Sequence, residues 1–145
     1  LQKVDYTPYL VGDEKEIKSL LPKKYHERVR FINSEDVIKM DESATEALKR
    51  KESTIYKSIE LLKQGEVEGV VSAGHSGATI SLATLRLGRI KGIKRPAIVT
   101  FMPTIKKKYS LVLDVGANVD CDAYNLYQFA LMGEVYAKVV LNTSN

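Results

Sequence analysis

Val70-Val71-Ser72-Ala73-Gly74-His75-Ser76-Gly77-Ala78 and, further along, Val112-Leu113-Asp114-Val115-Gly116-Ala117-Asn118-Val119-Asp120-Cys121 decide how this chain reads. Each is an apolar run that ends in a glycine-bearing turn, the pattern of strand, tight turn and helix start. Such a turn presents backbone N–H groups at the positive end of a helix, an environment that suits an anion such as phosphate. Ligands of open α/β sheets sit beyond the carboxyl ends of the strands. Two such turns in one small α/β domain therefore point to a phosphate-handling site between neighbouring strands.

Outward from these turns, strand and helix alternate. Tyr9-Leu10-Val11 is a short strand closed by Gly12-Asp13. Residues 14–21 read as a helix with Ile17, Leu20 and Leu21 on one face and Pro22 stopping it. Residues 28–33 are a second strand, ending in the turn chemistry of Asn33-Ser34. Ala44, Ala47, Leu48, Ile55, Ile59 and Leu62 mark a 3.6-residue stripe, which predicts one long helix over 43–63 that ends at Gly65. Residues 67–73 read as a strand and 76–87 as a helix, then 96–102 and 110–115 as strands. A last helix over 122–141 carries Leu126, Ala130, Gly133, Ala137 and Val140 on its buried side. Buried apolar strands joined through helices imply a largely parallel sheet covered on both faces. The link from Met102 to Ser110 is too short for a helix, so those two strands are expected to form an antiparallel hairpin and make the sheet mixed.

Composition bounds the rest. The 145 residues fit one α/β domain, 1–145, and 28% charged residues do not suggest disorder. A single cysteine excludes an internal disulfide and fits a reducing cytoplasm. No Cys/His cluster has metal spacing, no apolar stretch approaches the ~20 residues of a bilayer span, and no signal-peptide pattern opens the chain. The net charge of +4 admits an acidic partner but is ordinary for a globular domain. The basic runs lack the aromatic interleaving that favours nucleic acid.

The motifs resemble those of the bacterial phosphate acyltransferase (PlsX) family. Residues 71–78 resemble its VSAGNTGA, residues 87–97 its LGRIPGIxRPA, residues 113–121 its LDLGANVDC and residues 128–137 its QFAxMGSVYA. Order and spacing agree, and the resemblance runs from about Tyr9 to Leu141. It implies a three-layer αβα sandwich related to phosphotransacetylases and isocitrate dehydrogenases. It implies transfer of a fatty acyl group from acyl carrier protein to inorganic phosphate, giving an acyl phosphate for phospholipid synthesis. It also implies a homodimer and contact with the inner face of the membrane; no cofactor or metal is expected. Members are longer at both ends, so the resemblance makes this chain an internal, incomplete portion of a larger acyltransferase domain. Within the match His75 stands for the usual Asn, Ser76 for Thr, Asp41-Glu42-Ser43-Ala44 for DDSP and Lys91 for Pro; residues 49–54 are one residue shorter than the family's RRKxxSS.

Acyl transfer to phosphate requires a dianion held near a thioester and donors for the oxyanion that develops on its carbonyl. Ser72, Gly74, His75, Ser76, Gly77, Gly116, Asn118 and Arg95 are the candidate phosphate and substrate contacts, with Asn118, Lys51 and His75 as the candidate catalytic residues. Lys49, Arg50 and Lys51 bring positive charge from the long helix. A β-carbon at Gly74 is expected to intrude on the turn, so Gly74→Val should weaken phosphate saturation. Structural roles stand beside these. Ser72 and Ser76 suit helix capping, and His75 suits local hydrogen bonding in a turn. Asp114 and Asp120 suit turn or cap bonding better than a metal, and Cys121 suits packing. Lys106-Lys107-Lys108 reads as a solvated loop, or as a contact for acyl carrier protein or anionic lipid. Two other functions remain open: a phosphotransacylase that uses a short acyl-CoA, and a non-catalytic module that binds acyl carrier protein or itself.

Overall fold

The structure is a computed structural model that describes residues 5–142. The chain divides into two compact units, one up to Gly88 and one from Arg89.

In the first unit β1 (Tyr9–Gly12) leads through α1 (Glu14–Leu20) and a 3-10 helix (Lys23–Arg28) to β2 (Arg30–Asn33). The strands pair in parallel, Tyr9 opposite Arg30 and Gly12 opposite Asn33. Asp13 makes the turn into α1 because its carboxylate accepts from the Lys15 and Glu16 amides at 2.8 and 3.0 Å. The unit's core lies among the later helices: α2 (Ala44–Ala47), α3 (Thr54–Gln64) and α4 (Ser76–Arg86). Ile38, Ala47, Ile55, Tyr56, Ile59, Ala78 and Leu82 form one buried cluster. Arg86 of α4 donates to the Glu60 carboxylate of α3 at 2.6 Å, tying the two helices at their polar rim.

Two expectations fail here. The helix expected over 43–63 is two helices, interrupted between Leu48 and Ser53. The break has local causes. Ser53 is completely buried and caps a new helix, its Oγ accepting from the Tyr56 amide. The Thr54 amide is drawn to the Asp36 carbonyl at 2.9 Å, and Ser34 Oγ donates to the Glu52 carbonyl at 2.6 Å. The apolar stripe continues through the break because both helices pack on the same core. The strand expected over 67–73 is also absent: among the described residues this segment joins no ladder and Val71 is fully exposed. An extended run becomes a strand only when a neighbour takes up its N–H and C=O groups, and the sheet of this unit contains β1 and β2 alone among the described residues.

In the second unit β3 (Val99–Pro103) and β4 (Tyr109–Leu113) form the expected antiparallel hairpin, Val99 opposite Leu113 and Pro103 opposite Tyr109. Its tip is closed by Thr104, whose amide donates to the Lys108 carbonyl at 2.8 Å. The long α5 (Ala123–Val140) follows, capped by Asp122, whose carboxylate accepts from the Asn125 amide at 2.7 Å. The buried face of α5 is displaced from the expected stripe: Asn125, Gln128 and Phe129 are buried, whereas Leu126 and Val140 are exposed. Gln128 explains the offset. Its amide oxygen accepts from the Lys94 amide at 2.8 Å and its nitrogen donates to the Gly92 carbonyl, so a polar clamp on the incoming loop sets the helix rotation. Gly133 lets α5 approach the hairpin; a methyl there would stand 3.2 Å from Leu113 Cδ1. The class is thus α/β with parallel and antiparallel pairing, but the described strands form two two-stranded sheets rather than the single mixed sheet expected.

Candidate functional site

The first glycine turn leads directly into α4. Ser72 Oγ accepts from the Gly74 amide at 3.2 Å, which closes a local turn ahead of the helix. The helix cap is His75, not Ser72 or Ser76: its Nδ1 accepts from the Ala78 amide at 3.1 Å. The other ring nitrogen, Nε2, donates to the Glu42 carbonyl at 2.9 Å. Both nitrogens are thereby engaged, and in this geometry His75 is a cap and a tether rather than a free base. Ser76 and Gly77 occupy the first turn of α4, where helix geometry leaves the amides without an intrahelical acceptor. A methyl at Gly74 would meet Ile55 Cδ1 and Ser72 Oγ at 3.5 Å, which is ordinary contact. The expected intrusion of a β-carbon at Gly74 is therefore not a clash within the turn. Gly77 is the tighter position, with the His75 ring at 3.1 Å and Ala44 Cβ at 3.5 Å from where a β-carbon would stand.

The loop that carries Glu42 is held from the interrupted helix. Arg50 spreads its guanidinium over three residues. Nε donates to Asp36 Oδ2 at 3.1 Å, Nη2 to Asp36 Oδ1 and, at 3.1 Å, to the Val37 carbonyl, and Nη1 to Glu42 Oε2. Arg50 holds the Asp36 carboxyl below the usual aspartate value. The Lys39 amide, then Arg50, does the same for Glu42. Asp36 and Glu42 in turn hold the guanidinium proton more tightly than usual. Lys51 lies beside Arg50 in the α2–α3 connection with an exposed side chain that forms no ion pair among the described residues. Of the basic run 49–51, then, Arg50 is a brace, while Lys49 and Lys51 are exposed and form no ion pair among the described residues.

The second glycine turn is organised by Asp114. One carboxylate oxygen accepts from the Ile98 amide at 2.8 Å and the Ala117 amide at 3.2 Å. The other accepts from the Asn118 amide at 2.7 Å and from Asn118 Nδ2 at 3.1 Å. Burial by itself would push this carboxyl up, but the Ile98 amide and the Asn118 side chain and amide outweigh it, and Asp114 stays ionised below the ordinary aspartate value. Gly116 sits at φ +105°, a conformation only glycine adopts without strain. Asn118 Nδ2 also donates to the Pro96 carbonyl at 2.9 Å, so its amide protons are spent on holding the loop. Arg95 Nη1 donates to the Asp120 carbonyl at 2.8 Å. The second unit thus gathers Gly116, Asn118 and Arg95 around one loop, and the first gathers Ser72, Gly74, His75, Ser76 and Gly77 at the start of α4.

Sequence reasoning took Asp114 as a turn residue and overlooked the Asp36–Arg50–Glu42 brace and the Gln128 clamp. Asp36, Glu42 and Arg50 all lie in connections outside the helices and named strands, so no periodic pattern announces their pairing.

A family model described as fatty acid synthesis protein matches residues 1–145. A phosphate acyltransferase of Nitratiruptor sp. is 61% identical over 138 residues, which are 95% of this chain and 42% of that protein. Phosphate acyltransferases of Campylobacter concisus and Campylobacter fetus are each 58% identical, covering 97% and 100% of the chain and 43% and 44% of their own lengths. The chain therefore spans a little over two-fifths of the curated relatives it matches. Among the described residues no helix is long and apolar enough to cross a membrane. With the family model covering its whole length, this chain belongs to the fatty acid synthesis protein family.

Proposed function

We propose that these residues are part of a phosphate acyltransferase that moves a fatty acyl group from acyl carrier protein to inorganic phosphate. The observation that carries this reading is the family match over residues 1–145, joined by relatives of that name about three-fifths identical to the chain. In the reaction a phosphate oxygen attacks the thioester carbonyl, a tetrahedral oxyanion forms, and the carbon–sulfur bond breaks to release acyl phosphate and the thiolate of the carrier. Phosphate is an adequate nucleophile as a dianion, so the demand on the protein is to place it and to stabilise charge. The amides at Ser76 and Gly77 and the positive end of α4 are suited to the phosphate, with Gly74 permitting close approach. Arg95 and the Gly116 turn are suited to the second substrate or to the developing oxyanion, and Lys51 is an exposed cation outside any ion pair among the described residues. Asn118 and His75 support these groups more than they react.

The same reading takes the two units as parts of one larger acyltransferase domain with a three-layer αβα architecture. It includes a homodimer, a cytoplasmic location and contact with the inner face of the membrane. The relatives' shared name supports the acyltransferase assignment and the α/β pairing supports the architecture, while the homodimer, location and membrane contact rest on the family resemblance. The test is acyl phosphate formation by the intact protein, with acyl carrier protein or coenzyme A as the acyl donor. Turnover from the carrier-bound thioester is expected. Preference for a short acyl-CoA, or binding of the carrier without turnover, would overturn the assignment.

A further inference from the structure

We propose that Arg50 is a positioning residue for phosphate, acting on the first glycine turn through Glu42 and His75. The inference rests on the reading of that turn as the phosphate site. Three observations carry it. Arg50 is not free to bind substrate, because four of its five N–H donors are already directed at Asp36, Val37 and Glu42. The segment it grips is joined to the turn by one hydrogen bond, from His75 Nε2 to the Glu42 carbonyl at 2.9 Å. That imidazole in turn caps α4 through the Ala78 amide. The path from the guanidinium to the candidate phosphate donors is therefore continuous: guanidinium, Glu42 side chain, Glu42 backbone, imidazole, first turn of α4.

Packing keeps the path stiff. The Gly77 position is bounded by the His75 ring and by Ala44 of α2, the helix that starts two residues beyond Glu42. Ala47 of α2 and Ala78 of α4 are both fully buried in the shared core. A shift of the 36–43 segment is passed to the imidazole and to the amides of Ser76 and Gly77, rather than absorbed in a loose loop. Misplacing a reacting group by about 1 Å is enough to cost about a hundredfold in rate.

His75 can link the loop to the helix in a way that a shorter side chain cannot. An imidazole spans two hydrogen bonds on opposite sides of its ring, one to the helix and one to the loop. An asparagine at this position still caps a helix well but offers one carbonyl oxygen and one amide for both tasks over a shorter reach. The coupling from Arg50 to the turn is therefore specific to the presence of His75.

The test uses the intact protein and inorganic phosphate. Amide resonances of Ser76 and Gly77 are followed during phosphate titration, and KM values for phosphate and for the acyl donor are measured beside them. Arg50→Gln should raise the phosphate KM about tenfold or more and leave the donor KM within about twofold. Arg50→Lys, which keeps the charge but not the fork, should fall between. In a His75→Asn background the same Arg50→Gln change should alter the phosphate KM less than about twofold, since the path is already cut. An equal factor in both backgrounds would overturn the proposal, because Arg50 would then act on the fold at large. Should Arg50→Gln fail to fold, Glu42→Gln removes the ion pair while keeping the carbonyl that His75 uses, and the same comparison applies. If phosphate leaves the Ser76 and Gly77 amides of the unaltered protein unmoved, the phosphate site itself is wrong. If it moves them and Arg50→Gln binds phosphate as the unaltered protein does, the positioning role alone falls.

Discussion

Asp114 and the two turn glycines show how differently single residues serve one site. Asp114 takes four hydrogen bonds on two oxygens, so its charge is what keeps the second turn closed. Its pKa is lowered on folding, which places the stabilisation above the ordinary aspartate value of 3.8 and removes it as the pH falls through the lower folded value. Asp114→Asn should cost about 1.5–3 kcal/mol at pH 7. The gap between variant and unaltered protein should close as denaturation is repeated at pH values below 3.8. A gap that persisted at the lowest pH would mean that shape rather than charge holds the loop. Gly116 and Gly74 make the second contrast. At φ +105° Gly116 has room for a methyl group but not the conformation, so Gly116→Ala should cost about 1–3 kcal/mol. Gly74 is not in the left-handed region and a methyl there meets only ordinary contacts, so Gly74→Ala should change stability by about 0.5 kcal/mol or less. Chemical denaturation separates the two. A weaker response to phosphate in a fully stable Gly74→Ala protein then reports the ligand and not the fold.

At the scale of elements, the signals that were legible are those that depend on neighbours in sequence. Asp13 before α1, Asp122 before α5 and Gly65 at φ +76° after α3 end or begin helices where the residue types say they should. The short Met102–Ser110 link foretold the hairpin. What could not be read were the elements decided by distant partners. Ser53 looks like one more polar residue in a helical stripe; only the pull of the Asp36 carbonyl on the next amide and the burial of the hydroxyl make it a cap. Ser53→Ala should accordingly cost about 1–2 kcal/mol, more than a surface serine, and the loss should appear as fraying of the first turn of α3 in amide exchange. A substitution without effect would show that the break is set by the Thr54 and Ser34 hydrogen bonds rather than by the Ser53 cap. Residues 67–73 fail in the opposite direction. Their pattern is that of a buried strand, yet the property that makes a strand lies in the partner rather than in the segment, and within the described residues no partner is paired with it. For the site the division is the same. The turn residues and a local hydrogen-bonding role for His75 were visible in the sequence, whereas the partners of His75 and the supporting role of Asn118 became visible only once Glu42, Asp114 and Pro96 were placed around them.

At the scale of the whole molecule the question is what these 145 residues accomplish alone. Acyl transfer needs phosphate and thioester carbon held about 3–3.5 Å apart, with donors aimed at the charge that develops. Each candidate turn is well built within its own unit, but the surfaces around them are not those of a finished enzyme. Val71, Ile105 and Val119 are almost wholly exposed, and α5 leaves Tyr127, Leu131, Val135 and Val139 open to solvent. Apolar surface of this extent marks sites that other protein surface covers. The curated relatives supply more than half of their length outside the matched residues. These 145 residues alone are therefore expected to form no more than traces of acyl phosphate from an acyl carrier protein thioester. Protein of the relatives' length that carries them should turn over, and should bind less of an apolar-surface dye per molecule. Equal turnover by the short and long forms would show that the exposed valines and the unpaired 67–73 segment are tolerated by a complete active site. Dye binding that fell without any gain in turnover would show that the added chain covers the apolar surface but does not complete the chemistry.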